Sequence, residues 1–219
     1  MADTVGFLVV DDHPIFRQGL VALIQSEDRY RVLAEAGSVS EALSLLESLT
    51  PDVALIDITL ADRSGLDLVK SLRGTHPRIQ CLIISIHDEQ VYAERALKAQ
   101  ARGYVMKQEA ASVILEAIKT ILAGKIYVSA TMRERLLESQ LRIRSEGEGP
   151  LVGRLSDREL EVLMHLGRGA GAAEIAGLLH ISVKTVNVHQ DHLKKKLGVE
   201  GAAELRKFAV RWAQSQPPV

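Results

Sequence analysis

Phe7-Leu8-Val9-Val10-Asp11-Asp12-His13-Pro14 is the stretch on which the fold turns. Four apolar residues in a row, rich in Val and Leu and too short for a core helix, read as a strand buried on both faces. Pro14 suits the first turn of a helix, where its missing N–H would have had no partner. Two carboxylates therefore stand at a joint between a buried strand and a helix. Four more apolar runs follow, at 31–34, 53–56, 81–84 and 103–106. Between and after them lie segments with apolar residues at helical spacing, at 14–25, 40–49, 65–73, 89–100 and 110–122. Five strand–helix units in succession predict an α/β domain, with a parallel sheet and helices on both faces. Gly124 is placed to stop the last of these helices, and Gly103 and Gly124 read as backbone punctuation.

In an open parallel sheet, ligands bind beyond the carboxyl ends of the strands, at the point where the strand order reverses. The flavodoxin-like order 2-1-3-4-5 makes strands one and three neighbours there. Asp11 and Asp12 end the first strand and Asp57 ends the third, so the three carboxylates converge on one pocket. Three such charges repel and raise one another's pKa unless a cation neutralises them. A hard dication with oxygen ligands fits, and Mg²⁺ commonly takes one or two carboxylates together with a phosphate. Ser85 ends the fourth strand and offers a hydroxyl donor. Lys107 follows the fifth and offers a cation. An aspartate can serve as the nucleophile of phosphoryl transfer. Any one of these residues alone reads as a helix cap or surface charge, whereas polar groups at the ends of four strands read as a site.

A helix is expected over 129–141. The segment 142–153, with Glu146-Gly147-Glu148-Gly149-Pro150, reads as an interdomain linker. Beyond it the pattern is helical throughout. Ser156-Asp157-Arg158-Glu159 is a capping-box pattern, opening a helix to about residue 166 ahead of Gly167 and Gly169. A short helix over 172–179, a turn at Ile181-Ser182, a longer helix over 183–197 ending at Gly198, and an amphipathic helix over 202–213 complete the chain. Ser182 is placed to cap the third of these. A short helix, a tight turn and a longer helix form a helix-turn-helix, whose second helix enters the DNA major groove. Its exposed face carries Lys184, Thr185, Asn187, Val188 and Asp191. Asn can read adenine and an apolar side chain can touch a thymine methyl. Lys194, Lys195 and Lys196 suit phosphates. The plainer reading is a helical bundle with a solvated lysine run.

Charge is divided unevenly along the chain. Residues 153–219 hold ten Lys/Arg against seven Asp/Glu, a net +3, and residues 1–152 hold seventeen against twenty-one, a net −4. The halves are thus expected to meet different partners. Cys81, the sole cysteine, lies in an apolar run, which excludes an intrachain disulfide and fits a reducing compartment. The N-terminal residues do not resemble a secretory signal and no run is long enough to span a membrane, so a cytoplasmic protein is expected. No histidine pair has metal-ligand spacing supported by nearby Cys or Glu. His13 is expected to orient the loop beside the acidic pocket, His189 to pack or to touch DNA, and Trp212 to make a dimer or core contact.

Asp11-Asp12-His13-Pro14, Asp57, Ser64-Gly65, Ser85, and Tyr104 ahead of Lys107 resemble the receiver domain of two-component response regulators. The resemblance spans about residues 5–125. It implies that Asp57 is the phosphoacceptor, with a histidine kinase as donor. It implies that Asp12, Asp57 and the Thr59 carbonyl hold Mg²⁺ with Asp11 close by, that Ser85 and Lys107 sense the phosphoryl group, and that Tyr104 moves with them. The string from Leu155-Ser156 to Gly198-Val199, with Glu174-Ile175-Ala176, Ile181-Ser182, Thr185-Val186 and His189, is similar to the LuxR-type helix-turn-helix. Together the two resemble a NarL/FixJ-type regulator. The implied organisation is a flavodoxin-like receiver over 1–127, a linker helix and linker over 128–153, and an all-α DNA-binding domain over 154–219. The implied partners are promoter DNA, a second copy on activation and RNA polymerase, and no membrane. Ala61 replaces a usual proline, predicting a looser loop after Asp57, and Gln108 replaces a proline after Lys107. Asn187, Asp191 and Ala202 replace frequent basic residues, predicting altered sequence preference. Two other readings stand beside this one. Asp57-Ile58-Thr59-Leu60 is superficially like a haloacid dehalogenase phosphatase motif, but Thr59 stands where that chemistry needs a second aspartate. A tail that binds protein rather than DNA is the other.

Overall fold

The computed structural model describes residues 4–142 and 151–215. These form two compact units. In the first, strands β1 (Val5–Val10), β2 (Tyr30–Ala36), β3 (Val53–Ile56), β4 (Gln80–Ser85) and β5 (Gly103–Met106) alternate with helices α1 (Pro14–Gln25), α2 (Val39–Leu45), α3 (Gly65–Thr75), α4 (Glu89–Lys98) and α5 (Ala111–Leu122). The sheet is parallel throughout, in the order β2-β1-β3-β4-β5, as the chain's pattern predicted. Phe7, Val9, Leu55, Leu82, Ile84 and Val105 pack on one face against Leu20 and Ile24 of α1 and Ile114, Ala117, Ile118 and Ile121 of α5. The alternate residues Leu8, Val10, Ala54, Ile56 and Ile83 are equally buried, which is why these strands read as unbroken apolar runs. β2 departs from the expected buried strand. It lies at the sheet edge, and from Tyr30 to Glu35 its residues alternate between half-buried and exposed, with only Ala36 buried.

Local chemistry explains the helix starts. Ser38, Ser64 and Asp88 accept from the amides of Glu41, Leu66 and Gln90, capping α2, α3 and α4. α2 ends sooner than expected because its last turn tightens, with Glu47 N donating to Ser44 O and Ser48 N to Leu45 O. Gly124, with φ of 75°, stops α5 as read. Gly103 is not punctuation. It lies in β5, where a Cβ would come within 2.7 Å of the Tyr127 carbonyl oxygen, so the residue is needed for close backbone approach.

Helix α6 (Ala130–Arg142) belongs with this first unit. It packs against α4, Met132 is buried, and Ser129 N donates to Glu89 Oε1 at 2.8 Å.

The second unit holds a 3₁₀ turn (Leu151–Arg154) and helices α7 (Asp157–Gly167), α8 (Ala172–Leu178), α9 (Val183–Leu197) and α10 (Gly201–Ser215). Of the expected linker, residues 143–150 lie outside the described residues, while the 3₁₀ turn packs against α9. The capping box is formed: Ser156 Oγ accepts from Glu159 N, and Glu159 Oε2 accepts from Ser156 N at 2.7 Å. Gly198 ends α9 in the left-handed region. Leu163, Leu166, Ile175, Val186, Leu193, Leu205 and Ala209 form the core. Gly167 lies within α7, where a Cβ would meet the Ala209 carbonyl oxygen of α10 at 2.6 Å. Among the described residues, no helix is long and apolar enough to cross a membrane.

Candidate functional site

The register of the sheet sets the pocket. Val10 pairs with Ile56, Ile56 with Ile83, and Ser85 with Met106, so Asp11, Asp57, Ser85 and Lys107 emerge together at the C-terminal edge. Asp57 N donates to Val10 O at 2.9 Å. Lys107 Nζ lies 2.7 Å from both Asp57 Oδ2 and Asp11 Oδ2, and 4.6 Å from the centre of the Phe16 ring. Asp11 and Asp57 are almost wholly buried. His13, expected to orient this loop, touches both carboxylates: its amide donates to Asp11 Oδ1 at 2.9 Å and its Nδ1 lies 2.7 Å from Asp12 Oδ1. Asp11, Asp12, His13 and Asp57 each present a ligand atom within 4.8 Å of the others.

Burial above all, with help from the Asp11 charge and against the pull of Lys107, pushes the Asp57 carboxyl up to about 6. Burial opposes the Lys107 ammonium, yet Asp57 and Asp11 hold its pKa above the usual lysine value. Asp57 Oδ1 is buried and makes no hydrogen bond. A buried carboxylate oxygen without a donor is costly, and here it faces an acidic cluster. That donor set fits a hard cation and an incoming electrophile.

Ser85 is fully buried and close enough to act on both Asp57 and Tyr104. Tyr104 is fully buried, and its hydroxyl donates to the His87 carbonyl at 2.8 Å. The Thr59 hydroxyl shares a 2.9 Å hydrogen bond with His87 Nε2. His87 was not singled out from sequence. Its only signal was a polar residue two places after Ser85, in the loop leading to α4.

The loop after Asp57, where Ala61 stands, is held by its neighbour Asp62. Asp62 accepts from Val39 N at 2.9 Å, Ser40 N at 3.0 Å and Ser40 Oγ at 2.7 Å, tying the loop to the start of α2. Partial burial opposes ionisation of Asp62, but the bonds from Ser40 and Val39 hold its carboxyl below the usual range. Gly65 supports Asp57 directly. Its amide donates to Ile58 O at 2.7 Å, and a Cβ there would overlap the Asp57 carbonyl oxygen. All described peptide bonds are trans, Lys107–Gln108 included.

In the second unit, Ser182 caps α9 by accepting from Thr185 N at 3.0 Å, and its hydroxyl meets Thr185 Oγ1 at 2.8 Å. Val186, Leu193 and Leu197 of α9 are buried. Lys184, Asn187, Val188, Asp191 and Lys195 are exposed, and their three- and four-residue spacing puts them on one face. Asp191 is not alone there: Lys194 Nζ lies 2.7 Å from its Oδ1. His189 is half-buried, its Nδ1 has no partner, and burial lowers its pKa, so it stands as a neutral ring partly in the core. Lys196, expected to suit phosphates, has a partner within the unit. Its Nζ bonds Glu159 Oε2 of the capping box at 2.7 Å. Trp212 is partly buried and packs on the core.

A five-stranded parallel sheet with a carboxylate pocket and a buried lysine at its reversal point, in one chain with a helix-turn-helix, defines the two-component response regulators. Residues 7–119 match the response regulator receiver domain family, and residues 153–209 match the bacterial regulatory proteins of the luxR family. The chain belongs to the response regulators that join a receiver to a LuxR-type helix-turn-helix, the NarL/NarP type. It is 34% identical to the nitrate/nitrite response regulator protein homolog of Haemophilus influenzae, over 91% of this chain and 93% of that one. It is 33% identical to the DNA-binding transcriptional activator DevR/DosR of Mycobacterium tuberculosis, over 98% of both. The RcsB response regulator of Salmonella typhimurium, 23% identical, shares the fold with a TM-score of 0.65 over 95% of this chain and 98% of that chain.

Proposed function

We propose that the chain is a phosphorylation-switched transcription regulator in which Asp57 accepts a phosphoryl group from the phosphohistidine of a sensor kinase. The observation that carries this reading is the orphaned, buried Asp57 Oδ1 beside Asp11, Asp12 and Lys107. Asp57 Oδ1 attacks phosphorus, the new P–O bond forms, and the kinase imidazole leaves with the electrons of the P–N bond. Asp12, Asp57 and the Thr59 carbonyl, with Asp11 close by, would hold Mg²⁺, which when bound neutralises charge on the carboxylates and the phosphoryl oxygens. Lys107 exchanges its bond to Asp57 Oδ2 for one to a phosphoryl oxygen, Ser85 donates its hydroxyl to another, and Tyr104 repacks with Ser85.

The sensing part is 1–127, with α6 of the 128–153 stretch docked on it, and 154–219 is the DNA-binding part. Phosphorylation promotes dimerisation, and two copies bind paired half-sites in promoter DNA, from which RNA polymerase is regulated. Lys184, Thr185, Asn187, Val188 and Asp191 face the groove, with Lys194 and Lys195 toward phosphates and the half-buried His189 packed behind them. The relatives' description as a DNA-binding activator and a response regulator supports this. The chain is a switch and not an enzyme with an external substrate: Thr59 stands where a phosphatase of this motif needs a general acid, and its hydroxyl is engaged by His87.

The test is retention of random-sequence duplex DNA with and without Mg²⁺ and a small phosphodonor. Retention that requires the donor and is lost in Asp57→Asn supports the switch. Equal retention in all cases removes phosphorylation as its gate, and no retention in any case removes the DNA reading.

A further inference from the structure

His87 sits between β4 and α4 and is almost fully buried. Burying an imidazole is costly unless its polar atoms are engaged, and this residue is engaged on every side. Its amide donates to Ser85 Oγ at 3.4 Å, and its carbonyl accepts from Tyr104 Oη at 2.8 Å. Its side chain reaches elsewhere. Nε2 bonds Thr59 Oγ1, two residues past Asp57. The ring stacks on Tyr92 of α4, with centroids 4.7 Å apart and planes 28° apart. Tyr92 is itself fully buried, so the two rings move together or not at all. One helical turn back on the same helix, Glu89 holds the Ser129 amide and Gln90 bonds Arg135, which fastens α6.

The backbone of His87 therefore serves the Ser85–Tyr104 pair, while its side chain joins the Asp57 loop to α4 and, through α4, to α6. We propose that His87 is a positioning residue that carries displacement of the Asp57 loop to α4 and α6 by a route separate from Ser85 and Tyr104. A phosphoryl group on Asp57 shifts the 58–64 loop, Thr59 draws the His87 ring with it, and the ring carries Tyr92 and the first turn of α4, where α6 is anchored. This rests on the phosphoryl-switch reading given above.

The test uses the full chain with Mg²⁺ and the phosphoryl mimic BeF₃⁻ at saturation, checked by titration for each variant. The readout is the BeF₃⁻-induced change in amide hydrogen exchange over α4 (Glu89–Lys98) and over 129–137. Thr59→Val removes the hydroxyl with little change in shape, and His87→Phe keeps the stacked ring but loses the bond. Each should cut the exchange change at least threefold, and the double variant should cut it no further than either single one. Thr59→Ser, which keeps the hydroxyl, should match the wild-type chain. A purely structural role for His87 would leave the single losses additive and Thr59→Val close to wild type. If Thr59→Val and His87→Phe, each saturated with BeF₃⁻, give the full wild-type change, the coupling is wrong while the switch stands. If the wild-type chain itself shows no change on binding BeF₃⁻, the switch reading falls and the coupling with it.

Discussion

Asp57 is expensive to keep charged. Its carboxyl titrates near 6 because burial outweighs the nearby ammonium of Lys107, whereas the unfolded chain releases that proton near pH 4. The folded state therefore binds more protons than the unfolded one between those values, and stability falls as pH rises through that window. Asp57→Asn keeps the neutral form at all pH values. Without divalent cation, it should stabilise the receiver at pH 7.5 by up to about 3 kcal/mol, and the gain should shrink toward zero by about pH 4. Thermal denaturation across pH checks this, and an unchanged or lower midpoint in Asp57→Asn at pH 7.5 would contradict it. Mg²⁺ should then raise the melting temperature of the wild-type chain by more than it raises that of Asp57→Asn, because one ligand is gone. At the other end of the chain, neighbouring lysines have different work. Lys195→Ala should lower the salt slope of DNA binding by about one and leave stability unchanged. Lys196→Ala should instead lower the melting temperature of the C-terminal unit, because Lys196 holds the capping-box Glu159. The pair is compared by salt-titrated DNA binding and thermal melts, and the assignment fails if the two phenotypes are exchanged.

Among the elements, Gly65 and Gly167, like Gly103, permit close approaches that no other residue allows. α7 crosses α10 with Gly167 against the Ala209 carbonyl, so Gly167→Ala should cost about 1–3 kcal/mol by overpacking, seen as a lower denaturation midpoint of the C-terminal unit alone. Gly65 presses on the Asp57 carbonyl. Gly65→Ala should therefore slow phosphoryl acceptance from a small donor at least tenfold while leaving DNA-unit stability intact, as radiolabel incorporation and thermal melts would show. The elements were the most legible part of the sequence. Buried strands declare themselves as apolar runs, and the caps at Ser156 and Ser182 and the stop at Gly198 follow from side-chain and backbone chemistry within a few residues. Asp11, Asp57, Ser85 and Lys107 were legible because each ends a strand, and a parallel sheet brings strand ends together. What was not legible depended on distant partners. The exposed side of β2 depends on its place at the edge. The role of Gly103 depends on Tyr127, that of Lys196 on a helix about forty residues earlier, and that of His87 on Thr59 and Tyr92. No local pattern records any of these contacts.

For the molecule as a whole, the division into two units means that phosphorylation and DNA binding are each built on a separate core. On the function proposed above, coupling between them takes the form of a bias in assembly, because two weak readers joined as a pair raise each other's effective concentration on DNA. A duplex with two spaced half-sites should bind the phosphorylated chain at least tenfold more tightly than one with a single half-site. The difference should vanish in Asp57→Asn. Gel retardation with matched duplexes distinguishes these cases, and equal affinity for both duplexes would rule out pairing as the source of specificity.

Pairing as proposed would bring receivers to high local concentration, where an open sheet edge is a hazard that the Gly103–Tyr127 approach reduces at β5. A parallel sheet ends in a strand with unsatisfied amides and carbonyls, which can zip onto another copy and polymerise without limit. At the β5 side, Tyr127 folds back along the strand: its carbonyl takes the Tyr104 amide at 3.0 Å and its amide donates to the Arg102 carbonyl at 2.9 Å. The absent side chain of Gly103 makes room for that strap. The chain thereby blunts its own edge at β5, leaving fewer free amides and carbonyls there for another copy to pair with.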